Sequence, residues 1–521
     1  MTRLGAGDEL EVERWADTGR TLPWRWPLVH AHQPGSQYGA TSSKIRTVVT
    51  TDMEQDDLTS LVRYMLYTPA LDTQGLIYSS SRFHWEGDYN GTRFYLPDRE
   101  YKWPQTSFRW VGNQTMQNTV VAAYSKVYQN LRVHDPDFPT PDEIMSLVKI
   151  GNVDFEGEFD HDTEGSNHIR SLILDDDPRT LYLQAWGGTN TIARALKSIE
   201  EQHYGTSGWK QLQAKIVKKV VIMASGFQDR TYDEYIAPFW PKLEVRANGV
   251  LWTTYNCNLG KGNVRGLPDA HVYFTGDWIR KNIEIGPYGS LYRSWLDGQH
   301  MRGDPLDVFG NTTAHPIPKD LWCKPLGPYA FLGEGDDGTY FPFLPSGIQD
   351  PSDPNLGGWG GRMKQNISSL ANLWVSVSRE RAPNGTKVAD WGTERFISAV
   401  QNDFAARIQW TMTSKYSEAN HPPSVEVANG KTIQARAGSN VRLQGVVSDP
   451  DGDRVTMKWW QYFEEGTYKD EVRVNSMDGH EAMVKVPKDA KSGQTISIIL
   501  EGTDDGHFPL TRYARVIIEV Q

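Results

Sequence analysis

Cysteine is scarce in this sequence, with only Cys257 and Cys323 among 521 residues. Two cysteines are too few for a disulfide-stapled scaffold or for a structural zinc site built on thiolates. The pair forms either one disulfide bridge or two buried thiols, and the sequence leaves both alternatives open.

Long apolar runs and basic stretches are also lacking. No run of about 18 apolar residues occurs, so no transmembrane helix is expected. Residues 1–20 contain no apolar segment of the signal-peptide type, so no signal peptide is expected there. The net charge is −11 without a long basic stretch, which argues against nucleic acid or an anionic membrane as a partner. Five N-x-S/T sequons nevertheless hint at secretion, so we expect an extracellular location, with the cytoplasm as the alternative.

Aromatic residues, in contrast, are abundant, with 19 Trp, 23 Tyr and 17 Phe. Flat aromatic faces suit the apolar C–H faces of sugar rings, so a carbohydrate is a candidate partner. By their number, most of these side chains must be ordinary core and surface residues.

The pattern of apolar residues predicts an α/β domain over residues 44–419, after an N-terminal extension over residues 1–43. Apolar runs that read as buried strands alternate with segments whose apolar residues recur at helical spacing. Such alternation favours an open, mostly parallel sheet with helices on both faces. The predicted strands begin near Ile45, Gly75, Leu181, Lys219 and Val250.

Two further segments of this domain are predicted to be helical, at about residues 363–376 and 391–414. The character of the sequence then changes at Asn420, before the Pro422-Pro423 linker. From Ser424 onward, short alternating strands are separated by Gly/Asp turns, which is typical of a β-sandwich. We therefore expect a second, all-β domain over residues 420–521.

Four acidic residues lie within six positions, directly after the first predicted strand: Asp52, Glu54, Asp56 and Asp57. In open α/β sheets, ligands bind at the carboxyl ends of the strands. Carboxylates this close repel one another, and a hard cation such as calcium or magnesium would remove that repulsion. The alternative is helix capping, since an acid at a helix start stabilises it by about 0.5–2 kcal/mol without any metal. Four acids together favour the metal site.

Two other motifs are candidates for the same site. The sequence Ala-Trp-Gly-Gly-Thr-Asn, residues 185–190, also follows a predicted strand, and its glycines permit close backbone approach to a ligand. It matches neither a dinucleotide-binding nor a P-loop fingerprint. Glu-Gly-Asp-Asp, residues 334–337, lies in a long aromatic loop and alone would be an ordinary acidic turn.

The pattern V-x-T-D-M-E-Q-D-D around Asp52 resembles the D-x-D-P-G-x-D-D motif of nucleoside hydrolases. The stretch from His168 to Leu196 is similar to the helix, strand and G-x-x-T-N turn of that superfamily. Over residues 44–521 the chain resembles a family of bacterial cellulose-binding proteins and their fungal relatives, which join a nucleoside-hydrolase-like domain to a cadherin- or Ig-like domain. Gly-Gly-Trp-Gly-Gly-Arg from Gly357 and the stretch Ser448–Tyr468 carry this second resemblance.

The resemblance implies a calcium site. Asp52, Asp57 and Asp336 would supply carboxylate ligands, and Thr189 would supply its backbone carbonyl. Asp52 would also face the attacking water as general base, which makes it the expected catalytic residue.

The resemblance also implies contacts with a substrate. Asp56 would bind a sugar hydroxyl, Asn190 would support the turn and contact the substrate, and Trp186 is a further candidate contact. His168 would lie on a helix before the third of the strands predicted above, which favours a structural role for this side chain.

Several positions depart from the nucleoside hydrolase pattern. Thr50 replaces the first Asp of the motif, and Met-Glu replaces Pro-Gly. Gly335 stands where many of these enzymes have a histidine that assists the leaving base, and the asparagine that usually follows the second strand is not evident. The expected metal ligands therefore match the nucleoside hydrolase pattern better than the residues that would contact a nucleobase.

These features predict a calcium-dependent hydrolase that cleaves a furanosidic or other small glycoside by direct, inverting attack of water. The alternative is a non-catalytic polysaccharide-binding protein in which calcium is structural. A third interpretation, an adhesion or scaffold protein, depends only on the C-terminal domain. The expected partner is a carbohydrate or glycoside, and oligomerisation is open.

Overall fold

The computed structural model describes residues 44–248, 268–301, 333–382, 385–476 and 478–521, together with Asp304, Asp307, Gly310 and Tyr329. The predicted N-terminal extension, both cysteines and the strand predicted from Val250 lie outside the described residues. None of the described helices is both long and apolar enough to cross a membrane.

The first part of the described chain is built on one large sheet. Its eight strands are β1 (Ile45–Thr51), β2 (Leu71–Tyr78), β3 (Val148–Ile150), β4 (Leu181–Ala185), β5 (Val220–Ala224), β6 (Glu244–Ala247), β7 (Met363–Gln365) and β8 (Leu373–Ser376). Their order in the sheet is β3-β2-β1-β4-β5-β6-β8-β7. All neighbours are parallel except β7 and β8. The predicted open, mostly parallel α/β sheet is confirmed.

Helices cover both faces of this sheet. They are α1 (Gln55–Met65), α2 (Ala122–His134), α3 (Pro141–Leu147), α4 (Glu164–Leu174), α5 (Asn190–His203), α6 (Trp209–Lys219), α7 (Ala237–Phe239), α8 (Gly276–Asn282), α9 (Gly286–Gly289), α10 (Asp337–Tyr340), α11 (Trp391–Glu394) and α12 (Ile397–Met412). Strand β1 shows why both faces are covered. Its neighbours Val48 and Val49 point to opposite sides, and each belongs to a different buried core.

The predicted helix over residues 363–376 is wrong. This segment instead forms β7 and β8, and β8 pairs in parallel with β6. The edge of β6 offers unpaired backbone groups, and the Leu-Trp-Val-Ser sequence of β8 suits a half-buried strand. Tertiary pairing therefore outweighs the local preference. The helix predicted over residues 391–414 is confirmed by α11 and α12.

The direction of chain progression reverses between β1 and β4. From β1 the chain proceeds outward through β2 and β3, and from β4 it proceeds the other way through β5 and β6. At such a reversal the loops leaving the two strands diverge and leave a crevice at their carboxyl ends. Thr51, the last residue of β1, and Ala185, the last residue of β4, place the two predicted motifs on either side of this point.

The C-terminal part is a sandwich of two four-stranded sheets, as the sequence predicts. Its strands are β11 (Ser424–Val427), β12 (Thr432–Ala435), β13 (Asn440–Ser448), β14 (Thr456–Gln461), β15 (Val474–Ser476), β16 (Glu481–Lys485), β17 (Thr495–Thr503) and β18 (Thr511–Val520). One sheet has the order β11-β13-β16-β15 and the other β12-β18-β17-β14. The sandwich has its own core, which includes Leu443, Val484 and Ile498. A hairpin of β9 (Arg379–Arg381) and β10 (Lys387–Ala389) lies before it in the chain.

A buried ion-pair cluster joins the sandwich to the α/β part. Asp403 on α12 accepts hydrogen bonds from Tyr67 at 2.8 Å and from Arg407 at 2.9 Å. It also pairs with Arg512 of β18, with an N···O distance of 2.7 Å. The two arginines hold the pKa of Asp403 at about 2, although burial opposes this. The carboxylate is therefore ionised and connects the two parts of the chain.

We expect Asp403→Asn to lower the free energy of unfolding by about 3–5 kcal/mol, because the neutral amide removes the buried negative charge that pairs with Arg407 and Arg512. The measurement is urea unfolding at pH 7. The difference from wild type should shrink as the pH falls from about 4 to 2, since protonation of the wild-type carboxylate removes the same charge.

The matched control is Asp277→Asn. This side chain is 78% exposed and pairs only with exposed Arg280, so its loss should change stability by less than about 0.5 kcal/mol. Equal stabilities of the two variants would contradict the role of Asp403.

Candidate functional site

The acidic turn after β1 folds through a left-handed residue. Met53 has φ 56°, which turns the chain sharply between the strand and α1. Thr51 fixes this turn, because its hydroxyl donates to Asp57 and accepts from the Met53 amide at 2.9 Å. The Glu54 amide donates to Asp52 Oδ1 at 3.3 Å. The turn therefore carries its acidic side chains toward the carboxyl end of β1.

Helix capping does not account for the Glu54 side chain. Glu54 is the N-cap residue of α1, but its side chain makes no capping hydrogen bond in the described structure. It reaches instead to the loop after β2, where its Oε2 lies 2.6 Å from His84 Nε2.

Three acids of this turn lie close together, and one of them, Asp57, is a predicted metal ligand. Glu54, Asp56 and Asp57 each offer an oxygen, and these oxygens all lie within 4.8 Å of one another. Asp52 and Asp336 are within electrostatic reach of this group. Burial, followed by repulsion from Asp336 and Asp52, raises the pKa of Asp57 well above its usual value. For Asp336, burial and the charges of Asp56 and Asp52 have the same effect on the pKa.

We call Asp52, Glu54, Asp56, Asp57 and Asp336 the carboxylate cluster. Asp52 is 0% exposed and Asp336 is 2% exposed. One oxygen of each, Asp52 Oδ2 and Asp336 Oδ2, is buried and receives no hydrogen bond from the part of the chain that the structure describes. An ionised oxygen in this position lacks the solvation it would have in water.

Glycines allow the backbone to approach these acids closely. A Cβ at residue 335 would overlap Asp56 Oδ2, so the histidine of nucleoside hydrolases has no room beside the present Asp56. A Cβ at residue 187 would come within 3.1 Å of Asp52 Cβ, and one at residue 188 would overlap a carboxylate oxygen of Asp229. A Cβ at residue 188 would thus displace its neighbours, whereas one at residue 187 would make a tight contact with Asp52.

The turn between β4 and α5 is held by protein groups. The Thr189 carbonyl accepts from the Ala193 amide at 2.9 Å and so begins α5. Asn190 is fully buried, and its Nδ2 lies within hydrogen-bond distance of Ser80 Oγ, the Asn152 carbonyl and the Glu158 carbonyl, at 2.8–2.9 Å. Asn190 thus ties three loops together, as expected for a residue that supports the turn. Its contact with a substrate stays a prediction.

Trp186 lies inside the core. It is 0% exposed, packs edge-on against Tyr64 with ring centroids 5.9 Å apart, and donates from its ring nitrogen to Gln184 at 3.1 Å. In this arrangement both faces of the indole are covered by protein, so neither is open to a sugar. Its predicted contact with a substrate has no support in the geometry.

His168 lies on α4, before β4, where its Nε2 is 2.7 Å from the Gln74 carbonyl of β2. This contact ties the helix to the sheet. The geometry agrees with the expected structural role.

Two residues near the site escaped the sequence analysis. His84 contacts Glu54 through Nε2 and the Arg109 carbonyl through Nδ1 at 2.7 Å. Burial opposes ionisation of Glu54, but the charge and hydrogen bond of His84 hold its pKa at about 2. Burial and Arg109 act against protonation of His84, and Glu54 outweighs them, so the His84 pKa is raised. A histidine shortly after a predicted strand was the only signal in the sequence.

Asp229 is the second such residue. Its Oδ2 accepts from the Asn190 amide at 3.0 Å, and its Oδ1 accepts from the Thr231 amide at 2.9 Å. Burial raises the pKa of Asp229 to about 6. Nothing in its local sequence distinguishes it from an ordinary acidic turn, since the partner that brings it to the site, Asn190, comes from the β4–α5 turn.

Comparisons with known proteins identify the family and the fold of the chain. The family model described as "Cellulose-binding Sde182, nucleoside hydrolase-like domain" matches residues 46–363, and the one described as "Cellulose-binding protein Sde0182, C-terminal domain" matches residues 440–520. A search of curated proteins found no match.

Among solved structures, a nucleoside hydrolase-related hypothetical protein from Saccharophagus degradans, described as associated with carbohydrate metabolism, has a TM-score of 0.66 and 24% identity. The match covers 92% of this chain and all of that one, and it shows the shared fold. An endo-fucoidan hydrolase of glycoside hydrolase family 107 matches 18% of this chain and 13% of its own at 19% identity, with a TM-score of 0.13. That last match carries no argument. By its two family matches, the chain belongs to the family of cellulose-binding proteins with a nucleoside hydrolase-like domain.

Proposed function

We propose that this chain hydrolyses a carbohydrate glycoside at the carboxylate cluster, with a bound calcium ion and with Asp52 as the general base. One observation carries the proposal. Two buried oxygens, Asp52 Oδ2 and Asp336 Oδ2, lack a hydrogen-bond donor among the described residues, at a sheet edge where substrates of open α/β proteins bind.

The donor set fits calcium. Asp52, Asp57 and Asp336 offer only oxygens, which hard cations prefer. The Thr189 carbonyl uses one lone pair for α5 and keeps the other for a metal. Glu54 and Asp56, whose oxygens lie within 4.8 Å of those of Asp57, are further candidates. When bound, calcium would supply Lewis-acid stabilisation of the water and of sugar hydroxyls.

The protein's own groups would then perform the remaining steps. Asp52 would take the proton of the attacking water as the bond to the anomeric carbon forms, and the glycosidic bond would break with its electrons leaving on the departing oxygen or nitrogen. A single attack gives inversion at the anomeric carbon. Asp56 would hold a sugar hydroxyl. His84 would keep Glu54 ionised and oriented. Since residue 335 is a glycine, no side chain there can assist the leaving group.

Calcium should stabilise the fold measurably. Removal of the ion with a chelator should lower the melting temperature, and added calcium should restore it, because a ligand that binds only the native state at a hundredfold excess over Kd contributes about 2.7 kcal/mol. Calorimetry of Asp57→Asn should show a smaller calcium response than wild type. The control is Asp160→Asn, whose side chain is 87% exposed, and it should respond like wild type. An Asp57→Asn response equal to wild type would contradict the site.

Asp52→Asn is the test of catalysis. The amide cannot accept the water's proton, so release of reducing sugar or free base should fall by at least about a hundredfold, within the range that general bases contribute. The assay screens nucleosides, aryl furanosides and oligosaccharides with and without calcium, and Asp160→Asn serves again as the control. Wild-type protein that releases no product from any of these substrates would overturn the proposed hydrolase and favour the second candidate.

The second candidate is a non-catalytic polysaccharide-binding protein, and a separate cleft favours it. This cleft of about 600 Å³ lies between α11–α12 and the strands β14 and β17 of the sandwich. Its volume is typical of ligand sites. It is lined by Trp391, Phe396, Trp460 and Phe463, together with charged groups such as Arg395. None of its lining residues belongs to the carboxylate cluster.

Trp460 is the best-placed platform in this cleft. Its indole nitrogen donates to Glu501 at 3.0 Å, which fixes the ring, and the Arg395 guanidinium lies 4.4 Å from the ring centroid. An aromatic face of this kind suits the apolar C–H face of a sugar ring, and the polar groups beside it suit the hydroxyls at the edge of the ring. Membership in a cellulose-binding family agrees with such a site, and a cellulose ligand would place the protein outside the cell.

We expect Trp460→Ala to weaken retention on cellulose at least tenfold in a pull-down assay, whereas Asp52→Asn should bind like wild type. The control is Trp103→Ala, since Trp103 is 65% exposed and lies between β2 and α2, outside the residues that line the cleft. If Trp460→Ala and Trp103→Ala bind equally well, the cleft is not the binding site.

A further inference from the structure

Arg395, which joins α11 to α12, lies among aromatic rings in the cleft between the α/β part and the sandwich. Its guanidinium carbon is 4.4 Å from the ring centroid of Trp460, 4.9 Å from that of Tyr462, 5.4 Å from that of Phe396 and 5.9 Å from that of Trp391. Aromatic faces attract a cation at such distances. The rings therefore hold the guanidinium in place, but a ring face gives its N–H groups no oxygen to bond to.

The acids near Arg395 have other partners. Glu380 lies within electrostatic reach of Arg395 but forms its ion pair with Arg362, with an N···O distance of 3.1 Å. Glu501 accepts from the indole nitrogen of Trp460 at 3.0 Å. Arg395 itself forms neither an ion pair nor a side-chain hydrogen bond with any residue that the structure describes. Since Arg395 is partly exposed and lines the cleft, its N–H groups are open to a ligand there.

A guanidinium held in this way suits a carboxylate. It is planar, it presents its N–H groups as a fork that matches the two carboxylate oxygens, and it is more weakly hydrated than an ammonium group. Trp460 and Phe463 line the same cleft and are partly exposed, so a sugar ring can contact them. The two features together fit a sugar ring that carries a carboxylate, which is a uronic acid.

The charges around the cleft limit the negative charge that it accepts. Arg381 is already paired with Glu471, at an N···O distance of 3.2 Å. Lys458 lies two residues before Trp460 on β14, on the same side of the strand, and forms no ion pair within the described part of the chain. The cleft can therefore neutralise an isolated carboxylate, whereas a densely charged polyanion would meet its acids. The lining charges balance, three of each sign: Arg381, Arg395, Lys458, Glu464, Glu471 and Glu501.

We propose that this cleft binds a glycan with uronic acid units, and that Arg395 holds the carboxylate. This depends on the second candidate function, in which the cleft binds a polysaccharide, and it specifies the class of that polysaccharide. The carboxylate accepts two parallel N–H bonds from Arg395 while its sugar ring lies beside Trp460. A neutral glucan such as cellulose contacts the aromatic faces but offers Arg395 no charge, so it binds more weakly.

The test compares two probes that differ only at the carboxylate. One is a xylo-oligosaccharide with a single glucuronic acid unit, and the other is the same molecule with its carboxyl group reduced to an alcohol. In calorimetry with the full chain at pH 7, wild type should bind the acidic probe at least about tenfold more tightly than the reduced one. Arg395→Met keeps an apolar side chain against the rings but removes the charge and the N–H groups. Its affinity for the acidic probe should fall to that for the reduced probe, which should not change.

Two further variants serve as controls. Arg395→Lys keeps a cation on the rings and so preserves the fold even if Arg395→Met does not, but it loses the planar fork. Its preference for the acidic probe should be smaller than that of wild type. Arg436→Met removes an exposed arginine of the sandwich that does not line the cleft, and it should bind both probes like wild type.

Trp460→Ala separates the acidic specificity from the binding function itself, because it should weaken the binding of both probes. Equal affinity of wild type for the two probes, or an unchanged preference in both Arg395→Met and Arg395→Lys, would overturn the role of Arg395. If Trp460→Ala still weakened both probes in that case, the cleft would remain a polysaccharide site without acidic specificity. If Trp460→Ala bound both probes like wild type, the acidic site and the second candidate function would both be wrong.

Discussion

Repulsion among buried carboxylates at the end of β1 is the constraint on which the α/β site depends. Asp52, Asp57 and Asp336 are almost fully buried, and burial raises the pKa of each. Repulsion from other acids of the cluster adds to this effect, chiefly from Glu54 on Asp52, from Asp336 on Asp57 and from Asp56 on Asp336. An unpaired buried ion costs several kcal/mol. Protons or a cation must offset this cost. In either case the stability of the site depends on what binds there, a proton or a cation. A metal-dependent enzyme needs this property, and a purely structural strand end does not.

The same constraint explains why small residues surround the cluster. The turn after β4 places two successive glycines against Asp52 and Asp229, and Gly335 lies against Asp56. A Cβ at residue 188 or 335 would overlap a carboxylate oxygen, and one at residue 187 would crowd Asp52. The present position of the Asp56 carboxylate therefore depends on the absence of a side chain at residue 335.

The sandwich is packed against the α/β part rather than simply attached to it. Arg512 of the sandwich pairs with Asp403 of α12, and Glu465 accepts from the Gly357 amide at 2.6 Å. The cleft with Trp460 lies between these two parts.

The sequence by itself determined the elements whose signals are local. The buried run Ile45–Val49 and the acids after it predicted β1, α1 and the strand-end cluster, because strand and helix periodicities are properties of neighbouring residues. The alternating pattern after Ser424 predicted the sandwich for the same reason. Proximity of the motifs after β1 and β4 also followed, since parallel strands share one carboxyl edge.

Only the tertiary structure decided burial and partners. Trp186 is buried in the core. Glu54 contacts His84, thirty residues further along the chain, and Asp229 accepts a hydrogen bond from the amide of Asn190. Residues 363–376 became strands because β6 left an edge for β8 to pair with. In each case the deciding contact joins segments that are distant in the chain, and periodicity within one segment carries no information about the surface that another segment will cover.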